Sequence, residues 1–178
     1  MAATIGNFSS GDVLTAAEMN TLGVEYLGQY TFSGFGGVSM QGILADFNRV
    51  KIVWYGYLSS GTSGLYLRLL DGTTEMTSVY PYAGTAINMS TGSQFISYAP
   101  SNTYCRIGSI QTTGSTFFID INKDTDGRFG IAWNGHYGTA ETWTGASTFY
   151  NASFDPDGVK IYRTSNNATM RAEVYGYQ

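Results

Sequence analysis

From residue 25 onward the chain is patterned with a period of two. In 49–57, Val50, Ile52 and Trp54 share one side of an extended strand, while Arg49, Lys51, Val53 and Tyr55 share the other. Leu65, Leu67 and Leu69 alternate with Tyr66 and Arg68, and Phe117, Ile119 and Ile121 alternate with Phe118 and Asp120. These apolar sides are the predicted core. Turn chemistry interrupts the pattern at Gly34-Phe35-Gly36-Gly37, 59–64, Asp71-Gly72, 100–102, Asp126-Gly127 and 155–158. Short strands so often broken predict an all-β domain, an antiparallel β-sandwich or jelly roll.

The last stretch reads as a hairpin. Asp155-Pro156-Asp157-Gly158 leads into 159–164, a Ser165-Asn166-Asn167 turn follows, and 169–177 returns. Val159 and Ile161 then lie beside Met170, Ala172 and Val174 on the inner face. Lys160, Tyr162, Arg171, Glu173 and Tyr175 line the outer face, either as plain sheet surface or as a subunit or glycan contact.

Only residues 1–25 carry a helix signal. Thr15-Ala16-Ala17-Glu18 is a capping box in which Thr15 accepts from the Glu18 backbone N–H and the Glu18 carboxylate reaches back. Leu14 can pack on Met19 as a hydrophobic staple, and Asn20 to Gly23 end the helix within about two turns. A helix this short needs a surface to lie on. The expected organisation is an N-terminal arm with one short helix over 1–25, serving anchoring or assembly, followed by a β-sandwich over 26–178.

Composition narrows the function. Charged residues are 12% of the 178, against a usual quarter, so Ser, Thr, Asn, Gly and Tyr supply most of the polar surface. The net charge of −4 comes without any Lys/Arg cluster, which argues against nucleic acid as a partner. Asp12, Glu18, Glu25 and Asp46 precede the first basic residue, Arg49, so the imbalance sits in the first quarter. Neither a secretory leader nor an apolar run of membrane-spanning length stands in the sequence, so synthesis and folding in a cytoplasm are expected, without membrane insertion. Cys105, the single cysteine, reads as a small buried side chain on a strand.

Catalytic constellations fail for want of partners. His136 is the only histidine, which excludes a Ser/His/Asp site or a two-histidine metal site within one chain, and it reads as a glycine-flanked loop residue. Asn122, Asp124 and Asp126 stand at alternate positions before Gly127, like the first half of a calcium loop, but position twelve is Trp133 and the flanks read as strands. An EF-hand is excluded, and a polar hairpin turn is the simpler reading beside a calcium site of another kind. Of the carboxylates, Asp120 and Glu173 lie in strands, whereas Asp46, Asp71, Asp155 and Asp157 lie in turns. Trp133, Tyr137 and Trp143 form either an aromatic platform for sugar or core and subunit contacts. The expectation is a non-enzymatic protein without cofactor.

Gly11-Asp12-Val13-Leu14-Thr15-Ala16-Ala17-Glu18-Met19-Asn20 resembles the G-x-V-L-T-A-A-x-x-N opening of many tailed-bacteriophage virion proteins. Gly158-Val159-Lys160-Ile161-Tyr162 and Val174-Tyr175-Gly176-Tyr177 look like the closing strands of small phage jelly-roll proteins. The resemblance implies a structural component of the particle, a capsid decoration, head fibre or tail appendage, assembled in the host cytoplasm and often trimeric. Its partners would be other virion proteins and itself, with Val13, Leu14, Thr15, Glu18, Met19 and Asn20 as the anchor. A carbohydrate- or host-receptor-binding module is the alternative, with a host glycan as partner.

Overall fold

The computed structural model describes residues 23–77, 80–138, 141–151 and 153–177, and among them the chain forms strands and no helix. The helix expected at Thr15 to Asn20, and with it the anchor residues, lies outside the described residues.

Two antiparallel sheets make a jelly-roll-like β-sandwich. The larger has eight strands in the order β1 (Val24–Gly34), β13 (Ala168–Tyr177), β3 (Arg49–Leu58), β9 (Ser115–Lys123), β10 (Phe129–Tyr137), β11 (Glu141–Phe149), β6 (Tyr82–Asn88) and β7 (Gln94–Ala99). In the smaller sheet β12 (Gly158–Arg163) lies between β2 (Gly37–Met40) and β4 (Thr62–Asp71). The far side of β4 pairs with β8 (Cys105–Gln111) along one half and with β5 (Thr74–Glu75) at its end. β1 begins at Val24, which pairs with Tyr177, so Val24 and Glu25 belong to the sandwich and not to the arm.

The predicted inner faces form the core. Val50, Ile52, Trp54, Leu65, Leu67, Leu69, Phe117, Ile119 and Ile121 are all fully buried, and Cys105 is buried with them. Burial pushes the Cys105 thiol up to about 12, so it stays protonated and unreactive.

The C-terminal hairpin is not formed. β12 belongs to the small sheet and β13 to the large one, so 164–167 is an arch between sheets, with Asn166 in the left-handed region at φ 65°. Val159 and Ile161 still share a core with Met170, Ala172 and Val174, but across the sandwich instead of along one sheet. Alternation gives each strand's inner side and is silent on which sheet the strand joins.

The same separation explains Gly34-Phe35-Gly36-Gly37, which carries the chain from β1 in one sheet to β2 in the other. Gly34 and Gly36 sit at φ 126° and 119°, values that favour glycine. Their carbonyls accept from the guanidinium of buried Arg163, at 2.8 Å for Gly36, and Phe35 lies over the same cation at 5.6 Å. A charge this deep is held by hydrogen bonds to backbone oxygen.

Within the core, large rings lie over glycines of neighbouring strands. Trp133 covers Gly145 on β11 and Gly84 on β6, and Phe117 covers Gly135 and Gly108. A Cβ on Gly145 would stand 2.6 Å from the Ala83 carbonyl oxygen and 2.7 Å from Trp133 Cε2.

On the outer face of the small sheet, Glu75 accepts from Arg68 Nη1 at 2.6 Å and from Lys160, tying β5 to β4 and β12. Arg68 also donates to the Thr103 carbonyl at 2.8 Å and lies 4.9 Å over the Tyr162 ring. Burial alone would raise the Glu75 carboxyl, but hydrogen bonds and charge from Lys160 and Arg68 outweigh it and hold its pKa below the usual 4.5.

Two expectations follow. Gly145→Ala should lose about 1–3 kcal/mol in urea unfolding, because backbone bounds the space; Gly130→Ala on β10, whose added Cβ meets nothing within 4 Å, should change little. A carboxylate with a depressed folded pKa contributes stability above its unfolded pKa and loses it as pH falls through the folded one. Glu75→Gln should therefore be less stable than the wild type at neutral pH, with a gap that closes on acidification below 4.5; a gap independent of pH would refute the assignment.

Candidate ligand-binding site

Register places small residues on the outer face of the large sheet. One row runs Asp120, Ala132, Ala146, Ala83, Tyr98 from β9 to β7, and beside it run Asn122, Gly130 and Thr148. With so little side chain, the surface sinks between taller neighbours. A depression of about 620 Å³ is bounded by Pro81, Asn122, Lys123, Arg128, Gly130 and Tyr150. A second of about 350 Å³ adjoins it through Pro81 and Thr148 and ends against Tyr98 and Pro100. Together they make a trough across five strands, roughly 19 Å at ~4.8 Å per strand.

Aromatic rings stand at its β7 end and on its rim beyond β11. Tyr150 is 56% exposed with the Arg128 guanidinium 5.7 Å from its ring, and Tyr98 is 68% exposed. Arg128 forms no ion pair among the described residues, whereas Lys123 is held by Asp155 at 2.9 Å. Exposed ring faces beside planar donors and a floor without bulk suit a polar ligand with apolar faces.

The sequence-nominated residues do not converge on this trough. Trp133 is buried in the core, which removes it from any sugar platform, and Trp143 is buried near the β7 edge beside Phe95 and Arg106. Tyr137 bonds Thr62 Oγ1 at 3.1 Å and links the sheets. Tyr162 is half-buried among Tyr66, Arg68 and Lys160 on the small sheet, and burial pushes its hydroxyl up to about 12. Tyr175 lies against Tyr26 at 5.5 Å near the β1 edge, so the five occupy separate places.

Asn122, Asp124 and Asp126 stand at the β9–β10 hairpin. The Asp124 carboxylate accepts from the backbone N–H groups of Asp126 at 2.9 Å and Arg128 at 2.8 Å, and Gly127 N–H closes the turn on the Asp124 carbonyl. This is the polar hairpin turn, and it commits one oxygen of Asp124 to the backbone. Among the described residues no group of three or more His, Cys, Asp or Glu is arranged to hold a metal ion.

His136 lies on strand β10 and not in a loop, exposed, opposite Thr116 and Thr142. Asp120 pairs with Arg49 at 2.9 Å, and Glu173 with Arg171. They sit two strands and two residues apart, about 12 Å from sheet spacing and rise, beyond the roughly 5–10 Å of paired glycosidase carboxylates.

Arg106, Arg128, Tyr98, Tyr150 and Gly130 escaped the sequence reading. Their signal is the run of Ala, Gly and Thr at alternate positions on β6, β10 and β11, which acquires meaning once strand order sets those positions side by side.

No protein-family model matches this chain, and no curated protein does. Among solved structures, an endo-β-1,4-glucuronan lyase from the fungus Trichoderma reesei is similar at 10% identity and a TM-score of 0.37, over 84% of this chain and 79% of that one. The CBM22-1–GH10 modules of Clostridium thermocellum xylanase 10B match at 10% identity and a TM-score of 0.29, over 88% of this chain but only 26% of theirs. Likeness this distant carries no argument about activity.

Proposed function

We propose that the chain is a non-catalytic structural component of a bacteriophage particle, a capsid decoration, head fibre or tail appendage, held by its N-terminal arm with the sandwich presented outward. The Gly11 to Asn20 segment carries this reading. The place where the arm joins the domain supports it. β1 is one edge of the large sheet and the trough ends at the opposite edge, β7, seven strand intervals or roughly 34 Å away. An anchor at the first edge leaves the trough free.

A second reading, a carbohydrate- or host-receptor-binding module, is favoured by the trough itself, with the Tyr98 and Tyr150 rings on its margin and an open floor at Gly130. The readings are compatible, since an outward domain on a particle is placed to meet a host surface.

Deleting residues 1–22 should leave a domain with an unchanged unfolding midpoint that no longer co-purifies with particles. Retention on the particle, or loss of folding, would remove the arm as a separate anchor. For the second reading, Gly130→Tyr fills the trough from a position with room for a side chain. It should weaken binding to host-envelope polysaccharide by about tenfold or more, a loss of ~1.4 kcal/mol, while leaving particle incorporation intact. Unchanged polysaccharide binding would exclude the trough.

A further inference from the structure

Away from the trough, the mouth of the sandwich between edge strands β7 and β8 holds a pocket of about 320 Å³. Trp143, Ala86 and Phe95 form one inner row across β11, β6 and β7, yet Phe95 is 53% exposed. Arg106 on β8 reaches into this opening, with its guanidinium 5.2 Å from the Trp143 ring and 5.9 Å from Phe95.

The polar atoms here are unsatisfied. Arg106 Nε and Trp143 Nε1 are buried and have no hydrogen-bond partner, and Trp143 is only 4% exposed. Arg106 forms no ion pair among the described residues, although Glu141 lines the same pocket. Asn88 Oδ1 is taken by Ser90 and Thr91, at 2.7 Å to Ser90 Oγ, which leaves its amide N–H groups to donate. Trp54 Nε1, Trp133 Nε1 and Arg163 Nε are likewise buried without a partner elsewhere in the core, so what distinguishes this cavity is the Arg106 guanidinium, without an ion pair beside Glu141.

The charges define that ligand. Guanidinium and carboxylate in one small pocket disfavour a net anion and a net cation alike. The wall offers donors from Arg106 and Asn88 and an acceptor in Glu141, so the complement must accept and donate at adjacent positions, as vicinal hydroxyls do. Phe95 offers a ring face to an apolar C–H surface. We propose that the pocket binds one residue of a neutral saccharide, with Arg106 and Asn88 donating to its hydroxyl oxygens, Glu141 accepting from them and the Trp143 and Phe95 rings lining the site. This deepens the second reading above and needs nothing from the first.

The test is an indole N–H titration by heteronuclear NMR on the full chain, with the Trp143 signal identified by Trp143→Phe. The probes are methyl glycosides of neutral hexoses, deoxyhexoses and N-acetylhexosamines, with methyl glucuronide as the acidic counterpart. At least one neutral glycoside at millimolar concentration should move the Trp143 signal while Trp54 and Trp133 stay in place. Arg106→Met, which keeps the aliphatic stem on the ring, and Glu141→Gln should each weaken that response about tenfold. If no probe moves the Trp143 signal, the pocket holds water and the proposal fails. It fails equally if methyl glucuronide alone binds and Glu141→Gln strengthens it, because the site is then an anion site. Polysaccharide binding that Gly130→Tyr abolishes and Arg106→Met spares would keep the trough and discard the pocket.

Discussion

Close packing of the two sheets depends on aromatic rings being laid over glycines. Trp133 crosses Gly145 and Gly84, Phe117 crosses Gly135 and Gly108, and Phe47 covers Gly176. Each pairing joins the largest available side chain to the absence of one, which fills the space between sheets at the density a protein interior requires. It also fixes register. Slipping β11 by one residue against β10 would set Thr144 or Ala146 beneath the Trp133 ring in place of Gly145. The outer face then follows as the complementary half of the same strands, and its shallow floor of Ala, Gly and Thr sits on β10, β11 and β6, the strands that also carry Gly135, Gly145 and Gly84.

How much of this was legible in the sequence divides along a physical line. The inner faces of β3, β4 and β9 were readable because burial on one side of a strand imposes a period of two that neighbours cannot erase. Strand partnership was not, since Val159-Lys160-Ile161 has the same alternation whether it pairs with β13 or with β2 and β4. The arch at 164–167 shows the cost: hairpin and arch need similar polar turn residues, and what separates them is Arg163, whose bonds to Gly34 and Gly36 lie far away in sequence. The candidate residues divide likewise. Trp133 and Trp143 are the large aromatics of a glycine-rich stretch, yet both are buried, Trp133 over Gly145 and Gly84.

Scarcity of charge has a structural counterpart. With 12% charged residues, five of the nine basic side chains are paired within the chain: Arg49 with Asp120, Arg68 and Lys160 with Glu75, Lys123 with Asp155, and Arg171 with Glu173. Arg163 donates from both Nη atoms to carbonyls. Exposed pairs of this kind contribute little stability, typically below about 1 kcal/mol each, but they leave the outer surface nearly neutral and rich in hydroxyls and rings. Such a surface can lie against a glycan or another protein without a large desolvation cost.

Against that neutral background, Arg106 and Arg128 stand out, and Lys51 on β3 is likewise without an ion pair among the described residues. Both arginines lie over aromatic rings, Arg106 over Trp143 and Phe95 and Arg128 over Tyr150, and both border concave surface on the β7 half of the large sheet, away from the edge where the arm joins. A guanidinium stacked on a ring is held in place while its N–H edge stays free to donate, and that preorganisation is useful only if an acceptor arrives. Both guanidinium groups therefore stand beside concave surface with donors available to an acceptor that enters it.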